Sequence, residues 1–512
     1  MSRSVTPDDA AVGRPVTESP VGVESPTEAD PRRWLALAII GLAQLMVVLD
    51  ATIVNIALPS AQRDLAISDA DRQWMITAYT LAFGGLLLLG GRIADFTGRK
   101  RTFLIGLLGF AGASALGGLA SNAGLLFAAR ALQGAFGALL APAALALITV
   151  TFTTPKDRAR AFGVFGAIAG GGAAIGLIMG GVLTEYLSWR WCLGVNVPIA
   201  ILTALAAVLV VKESRAHGDT RYDVRGAVLA TAGLVALVYG FTEAAKPNVG
   251  WSAGSTRGML GLAVALLVAF VVVEARTANP LLPLRIALDR NRGGSYLSFL
   301  LVASGLFAMF LFLTFYFQAV LGYSPLRAGF AFLPFSAGIV VTAGVVSQIL
   351  PRLGPKPLMV GGLAMATVAM IYLLQITPST SYVTHVLPAE IVMSVGLAAV
   401  FIPASNTALV GVAPHDAGVA SALLNTTQQV GGSLGTALLN TLYTSAVAGY
   451  LATHAGTGGN RGTAGDLRGQ QDALVHGYHV AFFWGAILLA AALVVVIVFV
   501  SAGIVVTAGV VS

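Results

Sequence analysis

Fourteen runs of about 18 predominantly apolar residues recur along this chain, each long enough to cross a bilayer core of roughly 30 Å as a helix. They lie near 33–58, 72–91, 102–121, 125–150, 160–183, 192–211, 224–242, 257–273, 293–318, 327–350, 357–376, 385–410, 418–446 and 478–502. Inside lipid a backbone must satisfy its own polar groups, so such runs predict α-helices. A β-barrel would show alternating segments of about ten residues, and none is present. Only 10% of the 512 residues are charged, against about 25% in soluble domains. The expected fold class is an all-α polytopic membrane protein. The 60 glycines suit close helix packing in lipid.

An even number of spans puts both termini on one side. Of the 30 Lys and Arg, 21 fall in the N-terminal tail and the even-numbered loops, eight on the other side, and Arg130 inside a span. That bias places both termini in the cytoplasm of a cell-membrane protein. The basic loops Lys156/Arg158/Arg160, Lys212/Arg215/Arg221/Arg225 and Arg276/Arg285/Arg290/Arg292 read as anchors of this topology. The net charge of +7 therefore reports orientation and gives no reason to expect a nucleic-acid partner. Residues 1–32 are polar and are expected to form a disordered cytoplasmic tail. They lack the pattern of a cleaved signal peptide. The single cysteine, Cys192, excludes an intrachain disulfide and a Cys-cluster metal site, and the six histidines show no metal-ligand spacing.

The chain repeats itself. Gly163-Val164 through Gly176 and Gly180 aligns with Gly418-Val419 through Gly431 and Gly435, and the loop Gly91–Arg101 with Ser347–Pro357, matching Gly98 to Gly354 and Lys100 to Lys356. Two parallel six-helix repeats with a substrate site at midplane between them are a transporter signature. The expected organisation is a first bundle over 33–211, a linker with two extra helices over 212–292, and a second bundle over 293–512 with a flexible outer loop at 447–477. Separately, Ser501–Ser512 repeats Ser336–Ser347 residue for residue. No functional reading rests on that copy.

Five groups of residues can carry chemistry. Asp50 is an acid within the first span, about 12 Å from its expected outer end, where a charge costs several kcal/mol without a partner, water or a proton. Arg130, about 8 Å deep in span four, can snorkel to the interface or meet Asp50. The loop Gly91, Asp95, Gly98, Arg99, Lys100 and Arg101 combines a tight turn with an acid near basic groups, and reads either as an anchor or as a charged latch on one conformer. Gly166, Gly170, Gly172, Gly176 and Gly180 put smooth stripes on span five, for close packing or for a hinge between the halves. Gln133, Glu390, Asn425, Gln428 and Gln429 are candidates to line a substrate cavity. Aligning Pro142 with Pro403 puts Glu390 within one residue of the Arg130 position. Span nine, the counterpart of span one, has no acid; its nearest polar residue to the Asp50 position is Thr314, so proton work falls to the first half. Trp189, Arg190 and Trp191 suit an outer aromatic belt. A membrane enzyme would need a catalytic Ser/His, paired acids or metal ligands within the spans, and a sensor would need a folded soluble domain. The sequence offers neither.

As a set these motifs resemble the fourteen-span drug:proton antiporters of the major facilitator superfamily, the EmrB/QacA type. The resemblance is carried by Leu49-Asp50-x-Thr52-Ile53-Val54-Asn55-x-Ala57-Leu58-Pro59, the Gly91–Arg101 loop, Arg130-x-x-Gln133-Gly134, the span-five glycines, Trp189-Arg190-Trp191 with Asn196-x-Pro198, and Leu321–Pro325. Two residues depart from the pattern: Phe96 stands where the loop usually has Arg, and Leu177 where Pro usually follows Gly176. The resemblance implies two six-helix bundles plus two extra central helices, rocking around a central cavity. It implies efflux of amphipathic or cationic compounds by a monomer, driven by the proton gradient with no cofactor. Asp50 would carry the proton and Arg130 would tune it, since burial and a neighbouring guanidinium act on a carboxyl in opposite senses. A facilitator or proton symporter of a metabolite on the same fold is the alternative.

Overall fold

The structure, a computed structural model, describes residues 32–152, 154–215, 223–246, 249–277, 280–412, 417–454 and 463–501. Fourteen long helices run through the described residues. They are α1 (Arg33–Asp64), α2 (Trp74–Thr97), α3 (Arg99–Gly118), α4 (Ala123–Thr151), α5 (Pro155–Tyr186), α6 (Trp191–Val210), α7 (Val224–Ala245) and α8 (Gly254–Arg276). After these come α9 (Arg290–Val320), α10 (Pro325–Leu353), α11 (Pro355–Gln375), α12 (Tyr382–Leu409), α13 (Ala417–His454) and α14 (Thr463–Phe499). All but α13 are long and apolar enough by composition to cross a membrane. α13 carries the polar run Asn425–Gln429 and packs along α2, α7, α9 and α14.

Short-range chemistry sets where the helices start. Asn122 caps α4 through Leu125 N, Thr154 caps α5 through Asp157 N with Pro155 following, and Ser324 caps α10 through Arg327 N with Pro325 following. A side-chain oxygen there satisfies one of the amides a helix leaves free, and proline gives up an amide that would be unpaired anyway. Gly98, at φ +119°, makes the turn from α2 to α3, and Gly354, at φ +75°, the turn from α10 to α11. Both helices flanking the expected outer loop at 447–477 are longer than the sequence suggested: α13 continues to His454 and α14 begins at Thr463. All of the expected tail but Arg32 falls on residues outside the description, as does nearly all of the C-terminal copy.

α1–α6 and α9–α14 pack alike. Gly176 and Gly180 of α5 lie on Leu49, Thr52 and Ile53 of α1, while Gly431 and Gly435 of α13 lie on Leu300 and Ser304 of α9. The paired contacts share one register, which puts Leu301 where the first half has Asp50. Thr314, the residue suggested from the sequence, lies further along α9. Lys100 Nζ donates to Val208 O at the end of α6 (2.8 Å), and Lys356 Nζ to Ile497 O at the end of α14 (2.8 Å). α7 and α8 pack against each other, and α7 lies along α2 and α13.

The halves meet at the end away from the termini. Gln318 Nε2 donates to Ile56 O (3.0 Å), and Leu326 N to Glu185 Oε2 (2.9 Å). A Cβ on Gly181 would sit 2.6 Å from Leu326 Cα, and one on Gly329 2.5 Å from Leu177 O. Arg72, at the start of α2, reaches into the second half: its Nε donates to Asn440 Oδ1 (3.0 Å) and its guanidinium lies over Phe315 (4.1 Å) and Tyr443 (4.7 Å). Toward the termini, Gly163, Gly166 and Gly171 of α5 face open space, and Val340, Val341 and Val345 of α10 are exposed.

Candidate functional site: a buried ion pair in the first half

Asp50 sits near the middle of α1, about 21 Å from the helix's far end, because α1 runs on to Asp64. Its side chain is fully buried. Arg130 and Gln133 stand three residues apart on α4 and so share a face. Arg130 Nη1 donates to Asp50 Oδ2 (2.6 Å), and Gln133 Nε2 to Asp50 Oδ1 (3.0 Å). A third donor, Asn196 Nδ2, reaches Oδ1 (2.9 Å) from α6, just past the point where that helix breaks at Val195.

The cation is equally well held. Arg130 Nε donates to Met75 O (2.9 Å), Nη1 also to Gln133 Oε1 (2.8 Å), and the guanidinium lies 4.5 Å over the Tyr79 ring. Gln133 Nε2 also donates to Ser114 Oγ of α3 (2.6 Å). Every helix of this half except α5 supplies a group, and α5 is seated beside the site through Gly176 on Thr52. Two buried charges repay their desolvation only when geometry is good and the remaining polar atoms are satisfied. Here the carboxylate accepts three hydrogen bonds, so adding a proton or removing the cation disturbs the whole cluster.

The structure therefore joins Asp50 to Arg130 and moves Gln133 out of the expected cavity lining into the ion-pair cluster. Sequence reading missed Asn196, Ser114 and Tyr79 as partners. The available signal was a polar side chain within a span, and Asn196 stood out only as part of the family resemblance.

The loop after α2 is clasped to its own half. Arg99 Nη2 pairs with Asp95 Oδ1 (2.8 Å), while the amides of Lys100 and Arg101 donate to the Glu213 carboxylate (3.1 and 3.2 Å). A Cβ on Gly98 would lie 2.8 Å from that carboxylate, whereas Gly91 makes only ordinary contact with Pro142. Glu213, directly after Lys212, was hidden in what the sequence shows as a basic loop.

The glycine stripe of α5 packs within the first half. Cβ atoms at Gly172, Gly176 and Gly180 would collide with or crowd Val48, Thr52 and Ile53 of α1; Gly166 has open space, and the surroundings of Gly170 lie outside the described residues. The close glycine contacts between halves come instead from Gly84, Gly181 and Gly329. Among the other candidates, Asn425 is exposed with Nδ2 donating to Ser421 O (3.2 Å), Gln428 is half-buried, and Gln429 packs on Gly84 of α2. Glu390 lines no open surface. It is buried between α12 and α10, 1% exposed, because the first turn of its helix tucks under the break in α10 at Phe332.

Two repeated helical halves, tied most closely at the end away from the termini and with a buried ion pair in one of them, have the architecture of a membrane transporter. The chain belongs to the Major Facilitator Superfamily, whose family model matches residues 40–436. It is 52% identical over 474 residues to the puromycin resistance protein pur8 of Streptomyces alboniger, covering 92% of each chain. It is 41% identical to the cephamycin export protein CmcT of Amycolatopsis lactamdurans, covering 82% of this chain and 88% of that one. It is 36% identical to a tetracenomycin C resistance and export protein of Streptomyces glaucescens, covering 81% and 77%. Among solved structures, a bacterial homolog of the human lysosomal transporter Spinster, inward-facing and unoccupied, superposes with a TM-score of 0.66 at 18% identity, covering 92% of this chain and 98% of that one. The protein is a multi-pass membrane transporter of small molecules and not an enzyme.

Proposed function

We propose that the protein exports amphipathic or cationic small molecules of the antibiotic class in exchange for protons, as a monomer in the cell membrane with both termini cytoplasmic. The single observation that carries the proton part is the Asp50 cluster: an acid at mid-helix depth, dry, and balanced by one arginine. With Asp50 ionised, Arg130 binds α1 to α4. With Asp50 protonated, that attraction is gone and α1 is free to shift with its partner α5, which touches the second half at Gly181. The latch loop Gly91–Arg101 holds the conformer in which the end bearing the termini is parted, and Gln428 and Gln429 border the substrate path. Export is supported by the relatives, whose names cover several unrelated antibiotics.

The test uses purified protein in proteoliposomes under an imposed pH gradient, with puromycin and ethidium as probes. Wild type should move the probe against the proton flow, and Asp50→Asn should lose all proton-driven movement. Continued proton-driven export by Asp50→Asn would remove Asp50 from the mechanism. Probe movement in the same direction as protons would establish the symport alternative.

A further inference from the structure

Glu390 occupies in the second half the place that Arg130 holds in the first. Packing sets the correspondence. Gly106 of α3 abuts Leu140 of α4 and Gly362 of α11 abuts Val400 of α12; Gly134 of α4 packs on Ala82 of α2 and Ser394 of α12 on Gly338 of α10. Four residues before Gly134 and Ser394 stand Arg130 and Glu390; seven before Ala82 and Gly338 stand Met75 and Ala331. The Met75 carbonyl accepts from Arg130 Nε (2.9 Å). The Ala331 carbonyl accepts from the Tyr382 hydroxyl (2.7 Å), and that hydroxyl lies 3.3 Å from Glu390 Oε2.

The charges differ between the halves. Arg130 has Asp50, but the Asp50 position here is Leu301, and Glu390 makes no ion pair within 4.0 Å among the described residues. Its Oε1 has no hydrogen-bond partner. The titratable and charged groups around it are few. Tyr382 and His385 share its element, with His385 half-buried and stacked on Tyr372 of α11. Tyr323 and Arg327 lie at the start of α10, with the Arg327 guanidinium stacked on the Tyr323 ring at 3.9 Å. From α9, Tyr316 donates to Thr377 O (2.8 Å), and across the seam Glu185 accepts from Leu326 N. A tyrosine has one proton to donate, and the shorter contact to Ala331 takes it. The bond between Tyr382 and Glu390 then needs its proton from the carboxyl.

We propose that Glu390 is a second protonation site, a neutral carboxyl that donates to the Tyr382 oxygen, and that loss of its proton loosens the seal between the halves. On ionisation the proton leaves to water and the carboxylate becomes an acceptor. The Tyr382 O–H then turns from Ala331 O to Glu390, and the Ala331 carbonyl loses its donor. Ala331 ends the segment Pro325–Ala331, which closes on α5 through Leu326 and Gly329. The use of this proton in transport rests on the proton-exchange reading above; the protonation itself does not.

Two readouts on the full-length, detergent-solubilised protein test it without transport. Infrared difference spectra between wild type and Glu390→Gln should show a protonated-carboxyl stretch that is lost in the variant and declines in wild type as pH rises. Spin labels at Tyr186 and Phe330, in a Cys192→Ala background, should report a distance across the seam that lengthens with pH in wild type. It should stay short in Glu390→Gln and be long at every pH in Tyr382→Phe. Absence of the carboxyl stretch, a stretch that never titrates, or an unchanged pH response in Glu390→Gln would each overturn the proposal. Repeating both in Asp50→Asn keeps the two readings apart, since failure of Asp50 as the proton carrier leaves these signals unchanged.

Discussion

Replacing Gly176 by alanine puts a methyl group where α1 and α5 touch. The added Cβ would lie 1.9 Å from Thr52 Oγ1, 3.1 Å from Thr52 Cβ and 3.3 Å from Leu49 O. Thr52 has little freedom to yield, because its side chain is β-branched and its single hydroxyl proton is held between Val48 O (3.0 Å) and Leu49 O (3.1 Å). Restoring ordinary contact means moving the helices apart by about 1.5 Å, and overpacking of this kind costs about 1–3 kcal/mol. The displaced stretch of α1 contains Asp50, so exchange should fall together with stability. Thermal unfolding in detergent and counterflow in proteoliposomes would be measured for Gly176→Ala, Thr52→Ala and the double variant. Thr52→Ala removes the 1.9 Å clash and leaves the contacts at 3.1 and 3.3 Å. The double variant should therefore recover at least ~1 kcal/mol relative to additivity, a coupling typical of touching residues. If Gly176→Ala matches wild type, or if Thr52→Ala gives no recovery, the stripe does not serve as an α1–α5 contact and the packing argument fails.

Two further perturbations address other parts of the same machine. Asn196→Ala strips one donor from a buried carboxylate and should lower stability by about 1.5–3 kcal/mol, read by thermal unfolding; wild-type stability would mean that the Asn196 bond to Asp50 is not made. Arg72→Ala removes stacking on Phe315 and Tyr443 and the bond to Asn440, which should shift the balance toward opening at that end by about 2 kcal/mol, or roughly 30-fold. Labelling of a cysteine placed at Ser433, buried on the seam beside Thr80, would then quicken in intact cells; an unchanged rate would remove Arg72 as a tie between the halves.

The sequence by itself determined the long apolar helices, the internal repeat and the presence of an acid and an arginine in its first copy. These follow from local properties: hydropathy over about 20 residues fixes a helix in lipid whatever its neighbours do. The turn at Gly98 was legible for the same reason. Only the tertiary structure decided what each polar span residue touches. A glutamine within a span can face lipid, a cavity or a neighbouring helix, and nothing in its flanking residues distinguishes these. Gln133 proved to bind Asp50, Gln429 to pack on Gly84, and Glu390 to lie buried beside Tyr382. Gly176 proved to seat α5 on α1, while Gly181, five residues on, faces the other half, because helical rotation turns neighbouring positions toward different partners. The Asp50 site is assembled by helices that are distant in sequence, and its closure comes from side chains that meet only when those helices pack.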